Sequence, residues 1–247
     1  MASGQAIVRI VLNRPEKRNA LDRATILRLR AELHAAAGDP AAKCVLLSGE
    51  GADFCSGADL SELRRIRDAS TLDNFDDARL LGGLFQEMRH HPLPVVAAVQ
   101  GRALAGGCGL ATACDIILAR ADAKFGYPEV NIGFVPAMVM AILRRSVSEK
   151  VAFELLTTGR VLSAGEARSA GLVNAVYPNE EFAERVEQFV SDMANRSGSA
   201  VRLTKHLLYQ MDTIGFDAAI ESGAQVNAIA RMTEDCRRGI DRFLKKS

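Results

Sequence analysis

Short apolar runs alternate with amphipathic stretches through the first half of the chain. Residues 6–12, 43–48 (K-C-V-L-L-S), 95–99 (V-V-A-A-V) and 115–119 read as strands. Between them, Ile26, Leu29 and Leu33 recur at helical spacing in a segment from 22 to about 37. Further helices are predicted from Leu60 to about Arg67 and over 80–90, with a polar, charged connection between them. Asn13-Arg14-Pro15, Gly38-Asp39-Pro40 and Pro92-Leu93-Pro94 break the pattern where elements should end. Strand, crossover helix and strand recur, which predicts an α/β fold with mainly parallel pairing. Beyond 125–129 the texture becomes helical. Residues 137–145, 149–156, 164–170, 180–195, 200–211 and 216–231 read as helices, with one strand at 172–177. No shift in composition marks a linker.

Two of the strands run into loops of small residues. One is Phe54-Cys55-Ser56-Gly57-Ala58-Asp59-Leu60. The other is Gly101 to Asp115, G-R-A-L-A-G-G-C-G-L-A-T-A-C-D. Gly106 and Gly107 stand where a helix should begin. A helix start leaves backbone N–H groups without intrahelical partners, and its dipole adds positive potential. Glycine also permits close approach to that backbone. Such a place suits an oxygen that carries or develops negative charge. Taken alone, the same stretch also reads as a Gly/Ala helix packed tightly in a core.

Composition narrows the classes. The chain has 247 residues, 48% of them apolar and 25% charged, with a formal net charge of +1. That balance gives no general attraction to nucleic acid or to an acidic membrane. Trp is absent and aromatics are 5%, which argues against a base-stacking platform. Cys44, Cys55, Cys108, Cys114 and Cys236 are odd in number and form no C-x-x-C pair. Reduced thiols in a cytoplasmic protein are expected, with neither a disulfide framework nor a zinc site. Arg9 interrupts the early apolar stretch, so no signal peptide is read. No apolar run has the length of a membrane span. Cys108 and Cys114 have no histidine near them in sequence, and His34, His90, His91 and His206 show no ligand spacing.

Six segments, in order, resemble the enoyl-CoA hydratase/isomerase (crotonase) superfamily. They are L-N-R-P-E-K-R-N-A-L at 12–21, F-C-S-G-A-D-L at 54–60, G-R-A-L-A-G-G-C-G-L-A-T-A-C-D-I at 101–116, F-G-Y-P-E-V-N-I-G-F-V-P at 125–136, T-G-R-V-L-S-A-G-E-A-R-S-A-G-L-V-N at 158–174 and G-I-D-R-F-L-K-K at 239–246. The resemblance implies a ββα superhelix: a core over 1–190 that holds an acyl-CoA site, and a helical C-terminal region over 191–247 that assists trimer or dimer-of-trimers formation. It implies an acyl-CoA thioester substrate and no separate cofactor, coenzyme A being part of the substrate. It places the backbone N–H groups of Ala58 and Gly106 at the thioester oxygen and makes Glu129 the catalytic acid–base. Lys17, Arg18, Phe243 and Lys246 match positions that reach the CoA, and Asp115 matches a framework position. The segment over 60–79 should border the acyl pocket.

One position departs from the pattern. Hydratases of this family commonly carry a second glutamate three residues beyond the oxyanion glycine; here that residue is Gly109. The resemblance still implies addition of water to a 2-enoyl-CoA. A single carboxylate also suits proton transfer between C2 and C4, a 3-enoyl-CoA to 2-enoyl-CoA isomerase. A third reading is a catalytically weak acyl-CoA-binding protein. Asp59, Glu62 and Asn131 are polar groups near the motifs that a water molecule would find useful.

Overall fold

The computed structural model describes residues 6–245. Five parallel strands form the main sheet in the order β1 (Ile7–Leu12), β2 (Cys44–Gly49), β3 (Val95–Val99), β5 (Ile116–Arg120) and β8 (Ala175–Tyr177). A second sheet joins β4 (Arg102–Leu104), β6 (Lys124–Gly126) and β7 (Val161–Ser163), with β4 and β6 parallel and β6 and β7 antiparallel. The connections and flanks are helical: α1 (Arg23–Gly38), α2 (Leu60–Asp68), α3 (Thr71–His90), α4 (Gly106–Thr112), α5 (Ala137–Ser146), α6 (Glu149–Thr158) and α7 (Ala164–Ser169). Four longer helices follow, α8 (Phe182–Ala194), α9 (Gly198–Gln210), α10 (Phe216–Met232) and α11 (Glu234–Leu244).

The parallel sheet is buried on both faces at β2, β3 and the middle of β5, as crossover helices require, whereas β1 exposes Arg9 and Val11 on one face. Along β2, Val45 and Leu47 face the large core that α1, α3, α4 and α5 cover. Cys44 and Leu46 face the other way, onto Val186 and Val190 of α8. The same alternation divides Val95, Ala97 and Val99 from Val96 and Ala98 on β3. The inner strands therefore read as continuous apolar runs.

The structure corrects the predicted elements at three places. Helix α3 begins at Thr71, so the expected polar connection before residue 80 is two further helical turns. Ser70 caps it by accepting from Asp73 N, and Leu80, Leu84, Phe85 and Met88 anchor its other end. The charges of those first turns hid the helix from the apolar period. The strand expected over 172–177 is only Ala175–Tyr177; Leu172 and Val173 bond back to Ala167 O and close the end of α7 instead. Helix α11 falls in the C-terminal region that the resemblance makes helical but does not show in the apolar pattern, because six of its eleven residues are charged and none is buried. Thr233 caps it by accepting from Cys236 N.

Asp115, at the start of β5, ties the C-terminal helices to the sheet. It accepts from Val95 N at 2.6 Å, from Lys205 Nζ at 2.7 Å and from the Tyr209 hydroxyl at 2.5 Å. Lys205 is buried and also donates to the carbonyls of Met88 and Leu93. Burial depresses the Lys205 pKa, and the Asp115 carboxylate opposes that depression. Tyr209→Phe removes one charge-assisted hydrogen bond and leaves the ion pair in place. Urea denaturation should show a loss of about 1.5–3 kcal/mol, with activity preserved. No helix among the described residues is long and apolar enough to cross a membrane.

Candidate active site

The N-terminal motif builds a loop before it offers any chemistry. Arg18 and Asn19 both sit at left-handed φ, 51° and 54°, a region that Asn tolerates better than most residues. Asn19 is buried. Its Oδ1 accepts from Arg14 N, and its Nδ2 donates to the carbonyls of Glu50 and Asp53. Arg14 in turn pairs with Asp22 at 2.8 Å and Asp59 at 3.0 Å. This knot pins the loop that contains Ala58. Ser56 N donates to Arg18 O, Leu21 N to Gly57 O, and Asp59 N to Leu21 O. Arg14 and Asn19 of the motif, and Asp22 just after it, are positioning residues that sequence reasoning left unassigned.

The parallel bridge between Leu21 and Ala58 uses the peptide groups on either side of Ala58. By strand alternation, the N–H of Ala58 itself points the opposite way. The second loop is stitched to the first: Leu104 N donates to Cys55 O, and Cys55 N to Arg102 O. Gly57, at φ 95°, lies against Gly106, since a Cβ on Gly57 would be 3.5 Å from Gly106 N. Gly106 opens α4, after Ala105 at φ 50°. That backbone is unfavourable for alanine and is held by Ala105 N on Gly126 O and by Gly109 N on Ala105 O. Among the described residues, neither Ala58 N nor Gly106 N has an acceptor.

Ala58, Gly106 and Glu129 line one cavity of about 610 Å³. Glu129 lies in a short 3-10 turn, Pro128–Ile132, that starts on a proline and ends at Gly133 in left-handed conformation. Its Oε2 is buried without a hydrogen-bond partner. Burial raises its pKa above the usual glutamate value, and its own backbone N–H partly opposes the rise. Three other carboxylates, Asp22, Glu62 and Asp77, border the cavity, each paired with arginine. Asn131 lines it as well, whereas Asp59 is turned into the Arg14 knot.

Gly109 is buried, and the room for a side chain there is taken. A Cβ would fall well inside van der Waals contact with Val139 Cγ1 and 3.1 Å from the Phe85 ring. The second carboxylate is therefore not merely missing; its place is filled with hydrocarbon. Gly109→Glu should destabilise the fold by about 1–3 kcal/mol through overpacking and should not raise turnover. Thermal melts and steady-state rates check both, and pairing it with Val139→Ala should recover part of the lost stability.

The remaining candidates fall in different places. Lys17 and Arg18 are exposed on the loop that bonds to Ser56, at the Ala58 end of the cavity. Phe243 is exposed on α11 and is not among the residues that line the cavity. Lys246 lies outside the described residues. Cys55 and Cys108 are buried, and burial pushes their thiols up to about 12 and about 11, so neither is a thiolate near neutral pH. His91 is buried and bridges Leu33 O, at Nε2, to the backbone of Leu93, at Nδ1.

The chain resembles known proteins over nearly its whole length. The family described as enoyl-CoA hydratase/isomerase matches residues 2–247. A provisionally named enoyl-CoA hydratase of Thermus thermophilus is 40% identical, over 96% of this chain and 94% of the relative. The 2,3-dehydroadipyl-CoA hydratase of Escherichia coli is 35% identical, over 98% and 93%. The crystal structure of an enoyl-CoA hydratase from Mycobacterium smegmatis superposes with a TM-score of 0.93 at 31% identity, covering 98% of this chain and 93% of that one.

Proposed function

The chain belongs to the enoyl-CoA hydratase/isomerase family and is an enzyme of the hydratase type; we propose that it adds water to a 2-enoyl-CoA with Glu129 as its one acid–base group. The observation that carries this reading is the cavity itself. It is bordered by one carboxyl group of raised pKa and by two loops whose Ala58 and Gly106 N–H groups are unclaimed. Glu129, ionised, takes a proton from water as the oxygen bonds to C3. Electrons of the C2=C3 bond move to the thioester oxygen, which the two N–H groups receive. Glu129 then returns the proton to C2, and the carboxylate is restored. One water is consumed and nothing else changes, so no cofactor is needed. Two N–H donors aimed at that oxygen are worth several kcal/mol in the transition state.

The hydrocarbon at Gly109 gives the isomerase reading its one point of support, since a C2–C4 proton shuttle has no use for a second acid. Mass-resolved turnover separates the two. Native protein with crotonyl-CoA should give a product heavier by one water. A same-mass product from a 3-enoyl-CoA, with no water addition to crotonyl-CoA, would replace hydration with isomerisation. Tight binding of both substrates without turnover would leave the acyl-CoA-binding reading.

Lys17 and Arg18 are proposed to meet the CoA phosphates, being exposed cations at the cavity mouth. A homotrimer or dimer of trimers is proposed as well. Helices α10 and α11 bury no residue, yet they expose Phe216, Ile220, Ile229, Met232, Ile240, Phe243 and Leu244. Apolar surface of that extent wants a cover. In that assembly Phe243 and Lys246 would approach a CoA. A cytoplasmic location is supported only by the five free thiols.

A further inference from the structure

The turn that carries Glu129 is held only loosely by its own residues. None of Pro128–Ile132 is buried. The later ones rest on the end of α6, where a Cβ on Gly159 would be 2.9 Å from Asn131 Nδ2. Glu129 Oε2 has no hydrogen-bond partner, so the backbone of the turn aims the carboxyl. The residue just before the turn is different. Tyr127 is completely buried and belongs to the main hydrophobic core. A phenol oxygen costs free energy there unless it is hydrogen-bonded. Phenylalanine would fill the same space without that cost, so the hydroxyl calls for a reason.

Its partner is Thr112, the last residue of α4. The two hydroxyl oxygens are 2.7 Å apart, and Thr112 Oγ1 also lies 2.7 Å from Cys108 O. A carbonyl only accepts, so the Thr112 hydrogen goes to Cys108 O and Tyr127 donates to Thr112 Oγ1. Burial holds the Tyr127 pKa well above the usual tyrosine value, so the phenol keeps that hydrogen. Gly126, one residue earlier, accepts from Ala105 N at 2.9 Å, immediately before α4. Two successive residues therefore grip α4 at both ends. Glu129 follows them after Pro128, whose ring fixes φ and passes the orientation on. Of the two parts so joined, α4 is the rigid one. Gly107 through Thr112 are buried, and neither Gly107 nor Gly109 has room for a methyl group.

We propose that Tyr127 is a positioning residue for the reaction: its hydroxyl, through Thr112, holds the Glu129 carboxyl at a set distance from the Gly106 N–H. The inference rests on the acid–base reading of Glu129. Carbon C2 must meet Glu129 while the thioester oxygen, on the adjoining carbon, meets Gly106. One rigid acyl fragment makes both contacts, so an error in the spacing of the two groups is felt in the transition state. Without the phenol hydrogen the turn loses its tie to α4. The helix stays where its packing holds it, and the carboxyl drifts.

On crotonyl-CoA, Tyr127→Phe should lower kcat about 10- to 100-fold while KM stays within about twofold of native. In single-turnover measurements on the Glu129→Gln background, the same change should cost nothing further, because the group it positions is gone. Thr112 supplies a second check that holds even if the phenol is needed for folding. Thr112→Val keeps the volume and loses the hydroxyl, whereas Thr112→Ser keeps the hydroxyl and loses a methyl group. A hydrogen-bonding role makes the valine variant the slow one and leaves the serine variant near the native kcat. A packing role reverses that order. Tyr127→Phe turning over like the native protein would overturn the proposal, as would the same factor of loss persisting with Glu129→Gln in place. Thr112→Ser as slow as Thr112→Val would overturn it too. Glu129→Gln at the native rate would sink the acid–base reading and this proposal with it. An inactive Glu129→Gln beside a fully active Tyr127→Phe would sink only the role of the phenol.

Discussion

Glu129→Gln should lower turnover at least a thousandfold while the protein stays folded. A positioned acid–base group contributes typically 10²–10⁴ in rate. The upper part of that range is expected here, because the same carboxylate is asked to take a proton from water and to return one to carbon. Val139 and Phe85 occupy the place from which a second acid would relieve it. KM should change little, since Glu129 is asked to act on the reacting carbons and not to hold the substrate, so the loss belongs to kcat. The pH dependence carries a further sign. Burial raises the carboxyl pKa in the folded protein above the ordinary glutamate value of 4.5. The acid limb of native kcat/KM should therefore lie above the usual glutamate range.

Stability should move the other way. The folded state holds the Glu129 proton more tightly than the unfolded chain does. The stability this contributes is complete below the unfolded pKa and is lost as pH rises through the folded pKa. Native protein and Glu129→Gln should melt together in acid. The variant should become the more stable of the two as pH climbs past the ordinary glutamate value. Thermal melts across that range, run beside the rate assay, check both halves. A variant that is inactive and also less stable at neutral pH would mean Glu129 supports the fold, and the acid–base role would lose its main argument.

Much of this arrangement is written locally. Strands β2, β3 and β5 are nearly continuous apolar runs because both sheet faces are covered there, and such runs are visible without knowing their neighbours. Ala58, Gly106 and Glu129 stand in linear motifs at element ends, which is why the family resemblance singles them out where residue type alone does not. Their convergence is another matter. It depends on Cys55 pairing with Ala103 and Leu21 with Ala58, long-range registers that no periodicity announces. The resemblance puts the segment over 60–79 at the pocket, but the apolar pattern does not show its helix. The face of α3 at Asn74, Asp77, Ala78 and Leu81 follows a cavity and not a core, so its first two turns lack the apolar stripe that signals a helix. The three-residue strands of the second sheet are too short to show a period at all. Nor does Gly109 reveal that Val139, thirty residues on, closes the space beside it.

Two adjacent glycines provide the sharpest test of how that convergence serves the chemistry. At Gly106 a Cβ would meet only Leu81 and Leu21 side chains, at 3.8 and 3.9 Å, ordinary contact. At Gly107 it would be 2.7 Å from Cys55 Sγ and closer still to the Cys55 carbonyl oxygen. Cys55 is three residues before Ala58, so a methyl group at 107 acts as a wedge between the two loops. Neither glycine has a positive φ, so the contrast is purely steric. Gly107→Ala should cost about 1–3 kcal/mol of stability by overpacking. It should also spread the Ala58 and Gly106 N–H groups away from a shared oxygen. Misplacing one such donor costs about 10²–10³ in kcat, and KM should stay near its native value, because the interaction matters only when charge reaches the oxygen. Gly106→Ala should keep native stability and lose less kcat than its neighbour, although its residue carries the donor itself. Denaturation curves and single-turnover rates on the pair decide the matter. If the two variants fell equally in rate, or if Gly106→Ala fell further, the spacing of the loops would not be what the tight packing at Gly107 protects.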